Sequence, residues 1–264
     1  NQDGKPYLLT ASHCLNEDFA LKNPDYEEIA GKIIAFFNYN SPSCESPMRG
    51  TEEMSMVSTY CRAINESTDM ALLELTEMPP LYYRPYYAGW NATTSSSGTY
   101  ACIQHPGGAT KRFSLAEKVQ LDSFKDSRYN FASNSFWHVP EWIQGCTAGG
   151  SSGSPLLDGD NRILGALTGG RSYCYFPYND YFYSLYYSWE ANEESAHQLK
   201  HWLAPNQTDR LCDGMDPYAA SPAFRLSLVI ENGKYDLIET SQSDETYLFG
   251  LNGSTKEYAE QYTT

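Results

Sequence analysis

Few of the features that mark a membrane, nucleic-acid or zinc protein occur in this chain of 264 residues. No apolar run approaches the roughly 18 residues that a bilayer-spanning helix needs. The opening Asn1-Gln2-Asp3-Gly4-Lys5 lacks the basic start and apolar centre of a secretory signal. Cations are scarce: 18 Lys and Arg face 33 Asp and Glu, for a formal net charge of −15. Such a surface repels nucleic acid and anionic membrane, so neither is expected as a partner. Cationic substrates are compatible with it, as is a plain solubilising role. The seven cysteines, Cys14, Cys44, Cys61, Cys102, Cys146, Cys174 and Cys212, include no Cys-x-x-Cys pair. Zinc-type spacing is therefore missing, and dispersed cysteines in a chain of extracellular character point to disulfides, with one left over from an odd count. Internal repeats and low-complexity tracts are absent.

What the chain does have is tyrosine, 22 of them, within an aromatic content of 14%. Tyr suits strands, and turn residues punctuate short β-like runs at 5–11, 32–39, 54–64, 70–75, 99–104, 113–121 and 162–168. The Tyr-rich run 181–189 reads as a further strand. One helix is expected over 193–203, with acids at its start, Ala196, Leu199, Trp202 and Leu203 on one side and Pro205 beyond its end. Many strands followed by a late helix predict an all-β barrel or sandwich closed by a C-terminal helix. After Cys212 the composition changes. A Gly/Pro/Asp/Ala linker at 213–222 precedes three short strands at 224–231, 235–240 and 246–251, with turns at Asn232-Gly233 and Asn252-Gly253. Two parts are expected, 1–212 and 213–264.

Three segments carry candidate chemistry. In Gly149-Gly150-Ser151-Ser152-Gly153-Ser154-Pro155, glycines flank a Ser, so the backbone can turn sharply and approach a substrate. A nucleophilic Ser needs that turn, with N–H groups aimed at the oxygen that becomes negative. By itself it is also an ordinary Gly/Ser loop. Tyr7-Leu8-Leu9-Thr10-Ala11-Ser12-His13-Cys14 places a His at the end of an apolar strand, rigid enough for a general base; a solvated strand-end His looks the same. Thr68-Asp69-Met70-Ala71-Leu72-Leu73 puts an Asp at the head of an apolar strand, where it can cap a turn or hold an imidazole in one tautomer. The order His, Asp, Ser separates the chymotrypsin arrangement from the subtilisin and α/β-hydrolase ones. A Gly-x-Ser-x-Gly elbow also fails at Ser154.

These three blocks resemble the signatures of trypsin-like serine proteases, and the chain is most similar to bacterial lysyl endopeptidases. The likeness extends through Phe37-Asn38-Tyr39-Asn40 with Cys44, His105-Pro106 with Lys111-Arg112, Ile163-Leu164-Gly165 with Gly169-Gly170, Ser188-Trp189, Trp202-Leu203-Ala204-Pro205 and Asp213-Gly214-Met215-Asp216. It covers about residues 5–216.

The resemblance implies two β-barrels with the active site between them, His13 and Asp69 from the first and Ser152 from the second. Ser152 would attack the peptide carbonyl, His13 take its proton and Asp69 orient His13, with the Gly150 and Ser152 N–H groups as oxyanion hole. Gly169 and Gly170 would lie along the substrate backbone. The trypsin specificity position, six residues before the nucleophile, holds Cys146. The lysyl endopeptidases place their acid on the opposite pocket wall, which matches Asp180; in Tyr178-Asn179-Asp180 it could equally be a solvated turn residue. Ser151 stands where trypsin has the Asp that binds a new N-terminus, so that activation switch is not expected, and Thr168 replaces a bulky residue beside the substrate channel. The family has opening strands upstream of the region where this chain starts, one carrying the partner of the Cys after the catalytic His. A fragment of a longer precursor is therefore expected, with Cys14 orphaned and an incomplete first barrel with an open sheet edge.

The expected protein is a secreted, periplasmic or cell-surface serine endopeptidase, monomeric, acting on polypeptides after Lys or other basic residues, with no cofactor and no metal. The same mechanism with apolar specificity and an inactive, protease-like binding protein are the alternatives. His197 and His201 lie four apart but lack a third metal ligand, and His105 and His138 read as structural. Asn65, Asn91, Asn206 and Asn252 match the glycosylation acceptor pattern, which arises often by chance.

Overall fold

The computed structural model describes residues 4–43, 50–206 and 208–216, and the strands at 225–231, 234–240 and 246–250. Cys44 and the turns at Asn232-Gly233 and Asn252-Gly253 lie outside the described residues. Two compact units are present, Asn1–Asp216 and Pro217–Thr264.

The first half of the larger unit is built on β1 (Tyr7–Ala11), α1 (Tyr26–Ala30), β2 (Ile34–Phe36), β3 (Ser55–Val57), β4 (Thr59–Asn65) and β5 (Met70–Leu75). An antiparallel sheet runs β1-β5-β4, and β2 pairs with β3 separately. Side chains alternate across the sheet with the strand period of two. Tyr7, Leu9, Ala11, Met70 and Leu72 pack with Trp90, Phe136 and Tyr183 of the second half, while Leu8, Ala71 and Leu73 pack with Ile29 and Ala30 of α1. β5 is therefore covered on both faces, which is why its apolar run shows little alternation. Among the described residues β1 pairs with β5 alone, so this sheet stays open at β1.

The second half comprises β6 (Gly89–Asn91), β7 (Tyr100–Gln104), β8 (Arg112–Ala116), β9 (Gln120–Asp122), β10 (Phe136–Glu141), β11 (Pro155–Leu157), β12 (Arg162–Gly170), β13 (Tyr178–Ser184) and β14 (Leu211–Cys212). The order β8-β7-β11-β12-β13-β10 curls round, and Leu115 of β8 bridges Gln144 just beyond β10. This closes a barrel around Cys102, Trp137, Val139, Leu156, Leu164 and Phe182. β9 pairs with β10, and β6 runs parallel to β12 on the outside with β14 against it. The molecule is thus all-β, as expected.

Several expectations change. The runs 54–64 and 113–121 each divide into two strands, β3 with β4 and β8 with β9, the first pair parted at Ser58, where φ is 72°. The run 181–189 is not one strand: Ser184 ends β13 and accepts a hydrogen bond from Tyr187 N, starting the one-turn α2 (Leu185–Ser188). The helix expected over 193–203 is broken into a single 3₁₀ turn, Ser195–His197, and the four-residue α3 (Lys200–Leu203), with Gln198 extended between them. Tertiary hydrogen bonds take over this segment. His197 Nδ1 donates to Ile64 O at 2.6 Å and Trp202 Nε1 to Ser195 O at 2.8 Å, which outweighs a weak local helix preference. Beyond Cys212, Arg162 holds Asp213 and Met215 exchanges backbone hydrogen bonds with Tyr87. In the smaller unit β15 (Arg225–Glu231), β16 (Lys234–Thr240) and β17 (Thr246–Gly250) form an antiparallel meander, the three strands expected there.

Candidate active site

His13 sits in the single 3₁₀ turn that follows β1, and Asp69 ends the turn between β4 and β5. Because Ala11 pairs with Met70, the residues just beyond each strand end are brought side by side. Asp69 has φ 62°, a left-handed conformation that Asp tolerates better than most non-glycine residues. Its side chain is fully buried. Asp69 Oδ1 accepts from Ser12 Oγ and His13 N, both at 3.0 Å, and Oδ2 lies 2.9 Å from His13 Nδ1. A carboxylate on Nδ1 holds the proton there and leaves Nε2 free to accept. His13 Nε2 is 2.7 Å from Ser152 Oγ.

Ser152 arrives from the second half, in the turn before β11. Gly153, at φ 79°, makes that approach possible: a Cβ there would stand 2.4 Å from Thr10 Oγ1 and 3.2 Å from Thr10 Cα. The glycine lets the Ser152 turn press against β1, the strand that leads into the His13 turn. Gly153→Ala is expected to cost about 1–3 kcal/mol through left-handed strain and this clash. Urea unfolding of the variant measures it, and turnover should fall with it because the Oγ–Nε2 distance opens.

Gly150 is likewise left-handed, at φ 87°. The N–H groups of Ser151, Gly153 and Ser154 donate to Ala148, Leu167 and Ser151 carbonyls, whereas those of Gly150 and Ser152 have no partner among the described residues. Two unpaired amides beside a nucleophile can receive a developing oxyanion. Beneath the turn, buried Ser151 Oγ donates to Gln104 Oε1 at 2.6 Å, and Gln104 Nε2 donates to Cys146 O at 2.5 Å and Ser114 Oγ at 2.8 Å. Gln104 and Ser12 brace the site, and neither was singled out by sequence reasoning. Ser12 had a signal, adjacency to His13; a strand Gln had none.

Asp180 is not a solvated turn residue. It lies within β13 and is 1% exposed. Its Oδ2 accepts from Thr147 Oγ1 at 2.5 Å and Trp142 Nε1 at 2.6 Å, and its Oδ1 from Ser172 N at 3.3 Å. Burial raises its pKa above the ordinary value of 3.8, and these donors only partly offset that. No cation neutralises it among the described residues. Gly170 lies across the β12–β13 pairing from it, where a Cβ would meet Asp180 Oδ1 at 2.3 Å. Gly169 faces Tyr181 in the same register, with Phe124 beside it. Cys146 immediately precedes Thr147, with its sulfur 3.0 Å from that of Cys174; the described cysteines form no disulfide.

The other histidines sit apart. His197 and His201 fall on separate turns, not one helix face. His105 Nδ1 meets Ala109 O at 2.9 Å, and His138 stacks on Tyr181 with Nε2 3.1 Å from Asn179.

The family model described as "Lysyl endopeptidase, C-terminal domain" matches residues 1–184. The chain belongs to that family. The lysyl endopeptidase of Pseudomonas aeruginosa is 28% identical over 193 residues, which are 69% of this chain and 38% of that protein. The chain thus spans well under half the length of that relative. Among solved structures, a Glu endopeptidase is 16% identical with a TM-score of 0.43, covering 69% of this chain and 76% of that one. Nocardiopsis protease is 14% identical with a TM-score of 0.39, covering 70% and 81%. The family match spans all three blocks that carry His13, Asp69 and Ser152, so the resemblance drawn from them stands.

Proposed function

We propose that this chain is a secreted serine endopeptidase that cleaves polypeptides on the carboxyl side of lysine. The observation that supports it most is the continuous line from buried Asp69 through His13 to Ser152 Oγ, assembled from separate parts of the chain with contacts of 2.9 and 2.7 Å. In this reading Ser152 Oγ attacks the carbonyl carbon as its proton passes to His13 Nε2. The carbonyl oxygen becomes an oxyanion held by the Gly150 and Ser152 N–H groups. His13 then gives the proton to the leaving amine, and the acyl-enzyme is hydrolysed by the same steps with water as nucleophile.

The preference for lysine is supported by Asp180, a buried carboxylate without a cation of its own. A Lys ammonium is a compact point charge that can reach one carboxylate and displace water. Gly169 and Gly170 present backbone along the same wall. A peptidyl phosphonate bearing a Lys side chain should label Ser152 stoichiometrically, and the same reagent with Leu should label far more slowly. No adduct on Ser152 in the full-length protein would identify an inactive, protease-like binder instead.

A further inference from the structure

We propose that Cys146 and Cys174 form a redox-sensitive cross-link that fixes the two loops holding Asp180 in place. The proposal rests on the reading of Asp180 as the specificity carboxylate. All three donors to Asp180 come from two segments, Trp142 and Thr147 after β10 and Ser172 after β12. The segments also meet through Thr147 N, which donates to Ser172 Oγ at 3.2 Å, and at the base through Trp142 N, which donates to Pro177 O at 2.8 Å. Cys146 adjoins Thr147, and Cys174 lies two residues beyond Ser172. Their sulfurs are 3.0 Å apart, about 1 Å more than the S–S bond of ~2.05 Å.

The second loop needs such a tie. Tyr173 and Phe176 exchange backbone hydrogen bonds, so Cys174 and Tyr175 form the tip of a tight turn, and Tyr175 is 93% exposed. No buried side chain at that tip anchors it. A buried carboxylate without a cation also favours opening towards water. The thiol of Cys146 is pushed up to about 11 by burial, then by Cys174 and by Asp180, so it stays neutral beside Asp180.

The oxidant is a low-molecular-weight disulfide. Exposed Cys174, as thiolate, attacks one of its sulfurs, breaking that S–S bond and releasing one small thiol. Cys146 then loses its proton to water and attacks Cys174 Sγ, expelling the second small thiol. Two protein thiols are oxidised and one small disulfide is reduced to two thiols.

The test uses the full chain equilibrated with oxidised glutathione, alkylated and mapped by mass spectrometry. A single linked peptide pair containing residues 146 and 174 is expected. Reduction, or Cys174→Ser, should raise KM for a Lys ester about three- to tenfold with a smaller change in kcat, and lower the melting midpoint by about 5–10 °C. Cys146→Ser is the second variant should Cys174→Ser not fold. Alkylation of both thiols after oxidation overturns the proposal. So does a linked protein whose KM and melting are indifferent to reduction. If Asp180→Asn leaves Lys selectivity intact, the reading of Asp180 fails separately, while mapping and melting still report on the cross-link.

Discussion

Ser152→Ala is expected to lower kcat by about 10⁵–10⁶-fold with little change in KM, since it removes the attacking atom and leaves the pocket in place. His13→Ala should cost about as much, and the double variant scarcely more, because an alcohol without its base and a base without its alcohol are equally idle. Asp69→Asn is expected to lose about 10⁴-fold. An amide NH₂ facing Nδ1 drives the imidazole proton onto Nε2, which can then no longer accept from Ser152. That substitution also disturbs the acceptor shared by Ser12 Oγ and His13 N, so a modest loss of stability should accompany it. Single-turnover kinetics on a Lys ester separate these effects. Full turnover by Ser152→Ala would sink the assignment of the nucleophile.

Asp180→Asn is expected to lower kcat/KM for Lys substrates about 10²–10³-fold relative to Leu substrates, the cost of leaving a desolvated ammonium unpaired. Its stability should hold or rise. The raised pKa means that the native carboxylate binds protons more readily than the unfolded one, so ionising it costs stability as pH climbs through that window. A neutral isostere avoids the cost. The same shift predicts a pH signature. On acidification, the Lys-to-Leu ratio of kcat/KM should fall at a pH above the ordinary carboxylate value of 3.8, because the free enzyme loses its pocket charge early. Comparing two substrates on one enzyme cancels the titration of His13. An unchanged ratio in Asp180→Asn would move Lys recognition elsewhere.

The line from Asp69 through His13 to Ser152 was legible because each member sits in a local pattern and the three patterns fall in one order. His13 follows an apolar strand, Asp69 heads one, and Ser152 lies between glycines. The strands at 70–75, 99–104 and 162–168 were readable for the same reason. The sequence reading missed β10, which carries Pro140 and alternates poorly, although it forms a wall of the second barrel. The helix over 193–203 looked amphipathic, yet hydrogen bonds to Ile64 and Ser195 broke it. Asp180 was matched to the pocket acid through the resemblance, since Tyr178-Asn179-Asp180 also reads as a turn, and only its place on β13 buries it.

Residue order and spacing alone determined that this is a β-rich chain with a His, an Asp and a Ser, in that order, each in a local setting that suits its chemistry. Those properties depend on short-range backbone preferences and on chemistry written into each side chain. The tertiary structure decided which carboxylate lacks a cation, which two sulfurs meet, and how closely one turn can press on a distant strand. Each of those depends on burial and contact between segments far apart along the chain, and no local pattern records them.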